Sequence, residues 1–175
     1  MAAIDAGEKH SLALLANGTV VGWGSDESGQ VSVPEGLENV TAISAGTYFN
    51  VALLANGTVV AWGLGGEAEA QVPSDLTEIV KIAAGKYHSL ALRSDGTVVF
   101  WGDRESVLGA IPEGLTGVKA IAVGPRGSLA LAGNGRLVQW GYLSDSDPDP
   151  PALLTDAASL TLGHLSAFAL SANGE

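Results

Sequence analysis

One stretch decides the fold: Ala84-Gly85-Lys86-Tyr87-His88-Ser89-Leu90-Ala91-Leu92-Arg93-Ser94-Asp95-Gly96-Thr97-Val98-Val99-Phe100-Trp101-Gly102. Two short apolar runs flank Asp95-Gly96. Such a pair, most often Asn-Gly, is the strongest short hairpin signal, because both turn residues tolerate positive φ. The phrase occurs five times in all. Its opening glycines are Gly7, Gly46, Gly85, Gly124 and Gly163, spaced by 39 residues without insertion or deletion. Four copies run on into Trp23-Gly24, Trp62-Gly63, Trp101-Gly102 and Trp140-Gly141. The chain is a tandem repeat with units at 1–39, 40–78, 79–117, 118–156 and a partial 157–175, expected to form one domain.

Working outward, each unit reads as strands. In the second copy, Val40–Ala45 ends at Gly46, Phe49–Leu54 runs into Asn56-Gly57, and Thr58–Trp62 closes at Gly63. Proline in Gln71-Val72-Pro73 excludes a central strand but allows an edge or a turn. Leu37, Leu76, Leu115 and Leu154 share a phase and are expected to plug the gap between neighbouring units. No segment of a dozen residues keeps a helical period without a glycine or proline breaking it. Each unit is therefore a small antiparallel sheet of three or four strands, which must stack on its neighbours to bury both faces. The expectation is an all-β fold of β-propeller blades. A linear β-solenoid is the alternative, but its coils lack a hairpin in every repeat. Ala13, Ala52, Ala91, Ala130 and Ala169 suit close stacking, the tryptophans wedge between blades, and the opening glycine supplies a bend.

Composition narrows the function. Hydrophobic residues make up 46% and charged residues 15%, which is wrong for disorder. A net charge of −11 repels phosphate backbones and argues against nucleic acid; a basic partner would be steered in. No apolar run approaches the roughly 20 residues that span a bilayer, so no membrane partner is expected. There is no cysteine, hence no disulfide and no thiolate chemistry. Met1–Gly7 already lies in a repeat, so no signal peptide is read in this chain.

The phrase Ala-Gly-x-x-His-Ser-Leu-Ala-Leu-x-x-Asp/Asn-Gly-Thr-Val-x-x-Trp-Gly is complete at Ala84–Gly102 and nearly so at Ala6–Gly24. It resembles the regulator of chromosome condensation repeat family. With the links Val33-Pro34-Glu35-Gly36-Leu37 and Ile111-Pro112-Glu113-Gly114-Leu115, it is most similar to the bacterial branch, that of β-lactamase inhibitor protein II. The resemblance covers essentially the whole chain. It implies a β-propeller, typically seven-bladed, that works by protein contact as an exchange factor, ligase module or inhibitor. It also implies a secreted or cell-surface location. The fourth copy departs from the pattern at Pro125-Arg126-Gly127 and at Asp145–Pro151. About 4.5 repeats of 39 residues fall short of seven. The chain is then expected to be part of a propeller, or a ring completed by another chain through open blade edges as a homo-oligomer.

In an antiparallel blade the first and third connections lie at one rim and the second at the other. The second is the nearly invariant Asn-Gly turn. The first and third vary most and carry Tyr, His and Arg, types that dominate protein–protein hot spots. The residues expected at this partner-binding rim are Lys9, His10, Asp26, Tyr48, Phe49, Tyr87, His88, Arg104, Arg126 and Tyr142. The chain then reads as a non-catalytic protein-binding module, with no cofactor. Following the resemblance, it would be an inhibitor whose rim occludes the active site of an enzyme such as a β-lactamase. A carbohydrate-binding or adhesive surface module is the alternative, as is a purely structural repeat segment.

Catalytic and metal chemistry find little support. His10 and His88 share a phase that Phe49, Gly127 and Ser166 hold elsewhere, so they are expected to hydrogen-bond locally. No acid or nucleophile recurs at a triad-like spacing. Three histidines on separate blades make a poor zinc site. Asp145, Asp147 and Asp149 alternate as in a calcium loop, but Pro150 holds the position that needs glycine.

Overall fold

The computed structural model describes residues 1–64, 70–102, 111–125, 127–141, 157–163 and 167–171. Each unit folds as an antiparallel meander. Unit one holds β1 (Ala3–Ala6), β2 (His10–Leu14) and β3 (Val20–Gly24). Unit two holds β4 (Val40–Ala45), β5 (Phe49–Leu54) and β6 (Val59–Gly63). Unit three holds β7 (Ile79–Ala84), β8 (His88–Arg93) and β9 (Val98–Gly102). Unit four holds β10 (Ala120–Val123), β11 (Gly127–Leu131) and β12 (Leu137–Gly141). The described part of the last unit is the hairpin of β13 (Ala157–Leu162) and β14 (Ala167–Ser171). Strand order follows the chain in every sheet, so the blades are three-stranded.

The Asn-Gly turns differ in detail from the expected two-residue form. Only the glycine takes positive φ: 81° at Gly18, 82° at Gly57, 84° at Gly96 and 82° at Gly135. Gly18 N–H donates to Leu15 O, and Leu15 N–H donates to Thr19 O, which makes a type I turn followed by a glycine bulge. The asparagine serves through its side chain instead. Asn17 Oδ1 accepts from Thr19 N–H at 3.2 Å, and Asp95 Oδ1 from Thr97 N–H at 2.8 Å. Asn and Asp both supply that acceptor, which explains their exchange between copies.

The units stack with a fixed sense. Leu12, Leu14 and Val20 of unit one meet Ala52 and Trp62 of unit two in one buried cluster. Phe49, Val51 and Leu53 meet Ala91 and Trp101 in the next. Leu90, Leu92 and Val98 meet Ala130 and Trp140 in the third. Each tryptophan thus packs backward onto the preceding unit, as expected of a wedge. Trp23 is 47% exposed and Ala169 is exposed. Leu37, Leu76 and Leu115 pack against these clusters from the turns Pro34–Leu37, Pro73–Leu76 and Pro112–Leu115, as their common phase suggested. Leu154 lies outside the described residues. The proline segments form turns, not edge strands.

The opening glycines stand at the turn between the first and second strands, where Gly7, Gly46, Gly85 and Gly124 N–H donate to the carbonyls of His10, Phe49, His88 and Gly127. Their φ is not positive; what they provide is space. A Cβ on Gly46 would lie 2.5 Å from Gly85 O, and one on Gly124 would lie 3.0 Å from Gly163 O. These glycines let one unit's backbone touch the next. The first strands stand side by side as a result and line a groove of about 980 Å³, with Asp5, Ser44, Lys86 and Thr161 among its walls. Asp5 spans the first junction: its Oδ2 accepts from Ala45 N–H at 2.9 Å. Ser44 Oγ accepts from Ala84 N–H at 3.0 Å across the second.

Candidate functional site

The first and third connections do share a rim. Ser25 N–H, just past β3, donates to Lys9 O between β1 and β2 at 2.9 Å. The glycine after each tryptophan makes this approach possible. Gly24, Gly63 and Gly102 have φ of 112°, 95° and 121°. A Cβ there would lie 2.5–2.6 Å from the carbonyl oxygens of Lys9, Tyr48 and Tyr87.

On this rim, Lys9, Tyr48 and Tyr87 occupy one phase in three consecutive units. Lys9 is exposed, Tyr48 half-buried and Tyr87 40% exposed. The Lys86 ammonium sits 4.8 Å from the Tyr87 ring centre, within cation–π range. Hydrogen bonding and charge from Tyr87 push the Lys86 pKa upward. Lys86 was not picked out by sequence reasoning; its place beside an exposed tyrosine was the available signal. Asp26 is exposed but engaged. Its Oδ2 accepts from Ser32 Oγ at 2.7 Å and its Oδ1 from Val31 N–H at 2.9 Å. The bond from Ser32 and then that from Val31 hold its pKa below the ordinary carboxylate value. Its structural duty is to brace the third connection.

Three expected rim residues are not on the surface. His10 is 3% exposed, and Phe49 and His88 are fully buried. The physical reason is that they open β2, β5 and β8 instead of ending the loop. Strand alternation turns the residue after the exposed position inward. Arg104, Arg126 and Tyr142 lie outside the described residues, as does the acidic stretch 145–149.

Beneath the rim, those inward rings form seams between units. His10 Nε2 lies 2.7 Å from Asn50 Oδ1 in the next unit. Asn50 Nδ2 donates to Gln30 O at 2.7 Å, so its oxygen must face His10, and His10 donates. Gln30 O also accepts from Trp62 Nε1 at 3.0 Å. Two units further on, His88 Nε2 lies 2.8 Å from Ser128 Oγ. The His88 ring also stacks on Phe100 with centroids 5.4 Å apart. The histidine bonds therefore reach across units and are not local. At the seam between them stands Phe49, which offers no polar atom, and Ser89 Oγ is buried without a partner.

A histidine nitrogen 2.8 Å from a serine oxygen has the spacing of an activated nucleophile. Here both residues are fully buried. The other ring nitrogen, Nδ1, has no partner to orient or stabilise an imidazolium. The pair is a joint, not a catalytic dyad. Among the described residues, no group of three or more His, Asp or Glu side chains is placed to hold a metal ion.

Stacked antiparallel blades around a groove, with loops gathered on one rim, define a β-propeller-type repeat module. The model of the regulator of chromosome condensation (RCC1) repeat matches residues 1–30, 40–67 and 79–105. Among curated proteins, no sequence match was found. Among solved structures, the chain is similar to Prp20p from Saccharomyces cerevisiae. The identity is 23% and the TM-score 0.68, over 80% of this chain and 45% of that one; that work also concerns binding to Gsp1p and histones. It is similar to the same yeast protein with Kap60 bound at 26% identity and TM-score 0.66, over 80% of this chain and 43% of that one. It is also similar to the CRINKLY WD40 ectodomain of the Arabidopsis thaliana receptor kinase ACR4. There the identity is 20% and the TM-score 0.75, over 95% of this chain and 59% of that one. The chain thus spans about half the length of the structures it matches.

Proposed function

We propose that this chain is a non-catalytic protein-binding module whose contact face is the rim of first and third connections. The observation that carries this reading is the row Lys9, Tyr48 and Tyr87, repeated at one phase across three adjacent units with Lys86 alongside. Tyrosine supplies rigid amphipathic contact area, and a row of it suits a flat protein surface. The yeast structural relative binds protein partners, which supports the class of activity but names no partner for this chain. The finer form, an inhibitor that occludes an enzyme's active site, rests on the sequence resemblance.

The test uses quantitative affinity capture with the 175-residue chain. The double variant Tyr48→Ala/Tyr87→Ala is expected to lose partners that the parent retains. Asn56→Ala, on the opposite rim, is expected to keep them. Retention of every partner by a folded double variant sinks the proposal. Titration into a β-lactamase assay checks the inhibitory form. A glycan array that responds to the parent chain while protein capture stays empty would favour the carbohydrate-binding alternative.

A further inference from the structure

The His88 seam lies directly beneath the rim proposed as the binding face, and it is built to hold only a neutral ring. His88 is fully buried. Its Nε2 meets Ser128 Oγ at 2.8 Å, while Nδ1 is buried without a partner. A protonated imidazole has two N–H donors and needs two acceptors. The strands packed against β8 offer no countercharge. β7 carries Lys81, paired with Leu92 at the far end of the sheet; β9, β10 and β11 carry no charged residue. Arg93 closes β8 at that far end, where Glu78 and Lys119 precede β7 and β10 and Asp95 stands in the turn beyond. At the ring's own end of these elements the charged residue is Lys86, a cation two positions before it. Asp103, Glu105 and Arg126 lie outside the described residues.

The same ring is tied to the rim. Gly85 N–H donates to His88 O at 2.8 Å, and Gly85 O accepts from Thr47 N–H of unit two at 3.0 Å. On the other side, Gly102 approaches so closely that a Cβ there would lie 2.5 Å from Tyr87 O and 2.7 Å from His88 Cα. The turn 85–88 is thereby clamped on both sides, and His88 cannot leave the seam without moving Lys86 and Tyr87.

We propose that the seam between units three and four is an acid-operated catch: protonation of His88 breaks its fit against Ser128 and releases the Lys86–Tyr87 corner of the rim. This regulation rests on reading the rim as the binding face, whose affinity would fall as the corner is lost.

The direction follows from burial, which pushes the His88 pKa from 6.5 down to about 4. The closed seam then binds a proton roughly 300-fold more weakly than an open one. A histidine with a depressed folded value keeps its contribution above the unfolded value. It loses that contribution as pH falls from 6.5 towards about 4.

The test needs no partner, so its outcome is separate from that of the rim variants. In the parent chain, NMR titration of the His88 ring is combined with amide protection factors for residues 85–88. The ring is expected to stay neutral well below 6.5. Protection of Gly85, whose N–H donates to His88 O, is expected to fall by about tenfold for each pH unit between the unfolded value and about 4. His88→Phe, which copies the ring that Phe49 sets at the same phase, is expected to abolish this acid-dependent loss. A His88 ring that titrates near 6.5 with unchanged rim protection overturns the proposal. So does a His88→Phe chain that loses rim protection with acid as the parent does. Should that variant not fold, the titration of the parent decides alone.

Discussion

The same substitution at two equivalent positions should have opposite signs. Ser89 and Ser128 hold one phase in adjacent units, and both are fully buried. Ser128 Oγ answers His88 Nε2 at 2.8 Å, whereas Ser89, which holds the same place after Phe49 that Ser128 holds after His88, has a buried Oγ with no partner. Ser128→Ala strands a buried ring nitrogen, which costs about 1–3 kcal/mol. Ser89→Ala removes a hydroxyl that was desolvated without compensation. That penalty is about 1–3 kcal/mol in protein interiors, offset in part by lost packing of the oxygen. The net gain is about 1 kcal/mol, so the two variants should differ by about 2–4 kcal/mol. Urea unfolding followed by tryptophan fluorescence reads the difference. With a slope of about 2 kcal/mol per molar, Ser89→Ala should raise the midpoint by about 0.5 M and Ser128→Ala lower it by about 0.5–1.5 M. Equal destabilisation by both would refute the seam reasoning, because it would show that a serine at this phase is worth the same whichever ring precedes it.

Three further outcomes follow from packing and charge. Gly46→Ala places a methyl 2.5 Å from Gly85 O, where backbone must yield; a loss of about 1–3 kcal/mol in urea unfolding is expected. Trp101→Ala, at 2% exposure, should cost about 3–5 kcal/mol, while Trp23→Ala, at 47% exposure, should cost less than half as much in the same assay. Asp26 has a lowered carboxyl pKa, led by its bond from Ser32. Its brace is therefore intact above the ordinary value of 3.8 and fails as pH falls through the lowered one. Amide protection at Val31 and Ser32, taken relative to the intrinsic exchange rate at each pH, should fall with acid in the parent chain. In Asp26→Asn it should already be lower at neutral pH.

The repeat, the small antiparallel sheet in each unit and the wedging of Trp62, Trp101 and Trp140 between units were legible because each rests on local chemistry repeated at a fixed step; the strand count and the backward sense of the wedge were not. The inward turn of His10, Phe49 and His88 was not read, although a signal existed. All three carry a ring, which fits a packing position better than a diversified loop. A residue count after the glycine does not say where the loop ends and the strand begins, and one step along a strand separates the rim from the interior. The role of Gly7 and Gly46 in leaving room for the next unit was also hidden, because it depends on the neighbouring unit's backbone. Gln30 shows the same limit. Its carbonyl gathers bonds from Asn50 and Trp62, and nothing in its own surroundings marks it as a hub.

The seam residues carry a consequence for how such arrays can grow. Each ring nitrogen and its partner belong to different units: His10 meets Asn50 and His88 meets Ser128, and Ser89 holds the corresponding place after Phe49. A unit copied or transplanted by recombination therefore takes half of two different pairs with it. Joining unit one directly to unit three would offer His10 the serine at Ser89. Joining unit two to unit four would set Phe49 against Ser128 and leave that hydroxyl stranded. Selection on duplicated or shuffled segments then acts at the junctions, and the order of units is inherited as information in its own right.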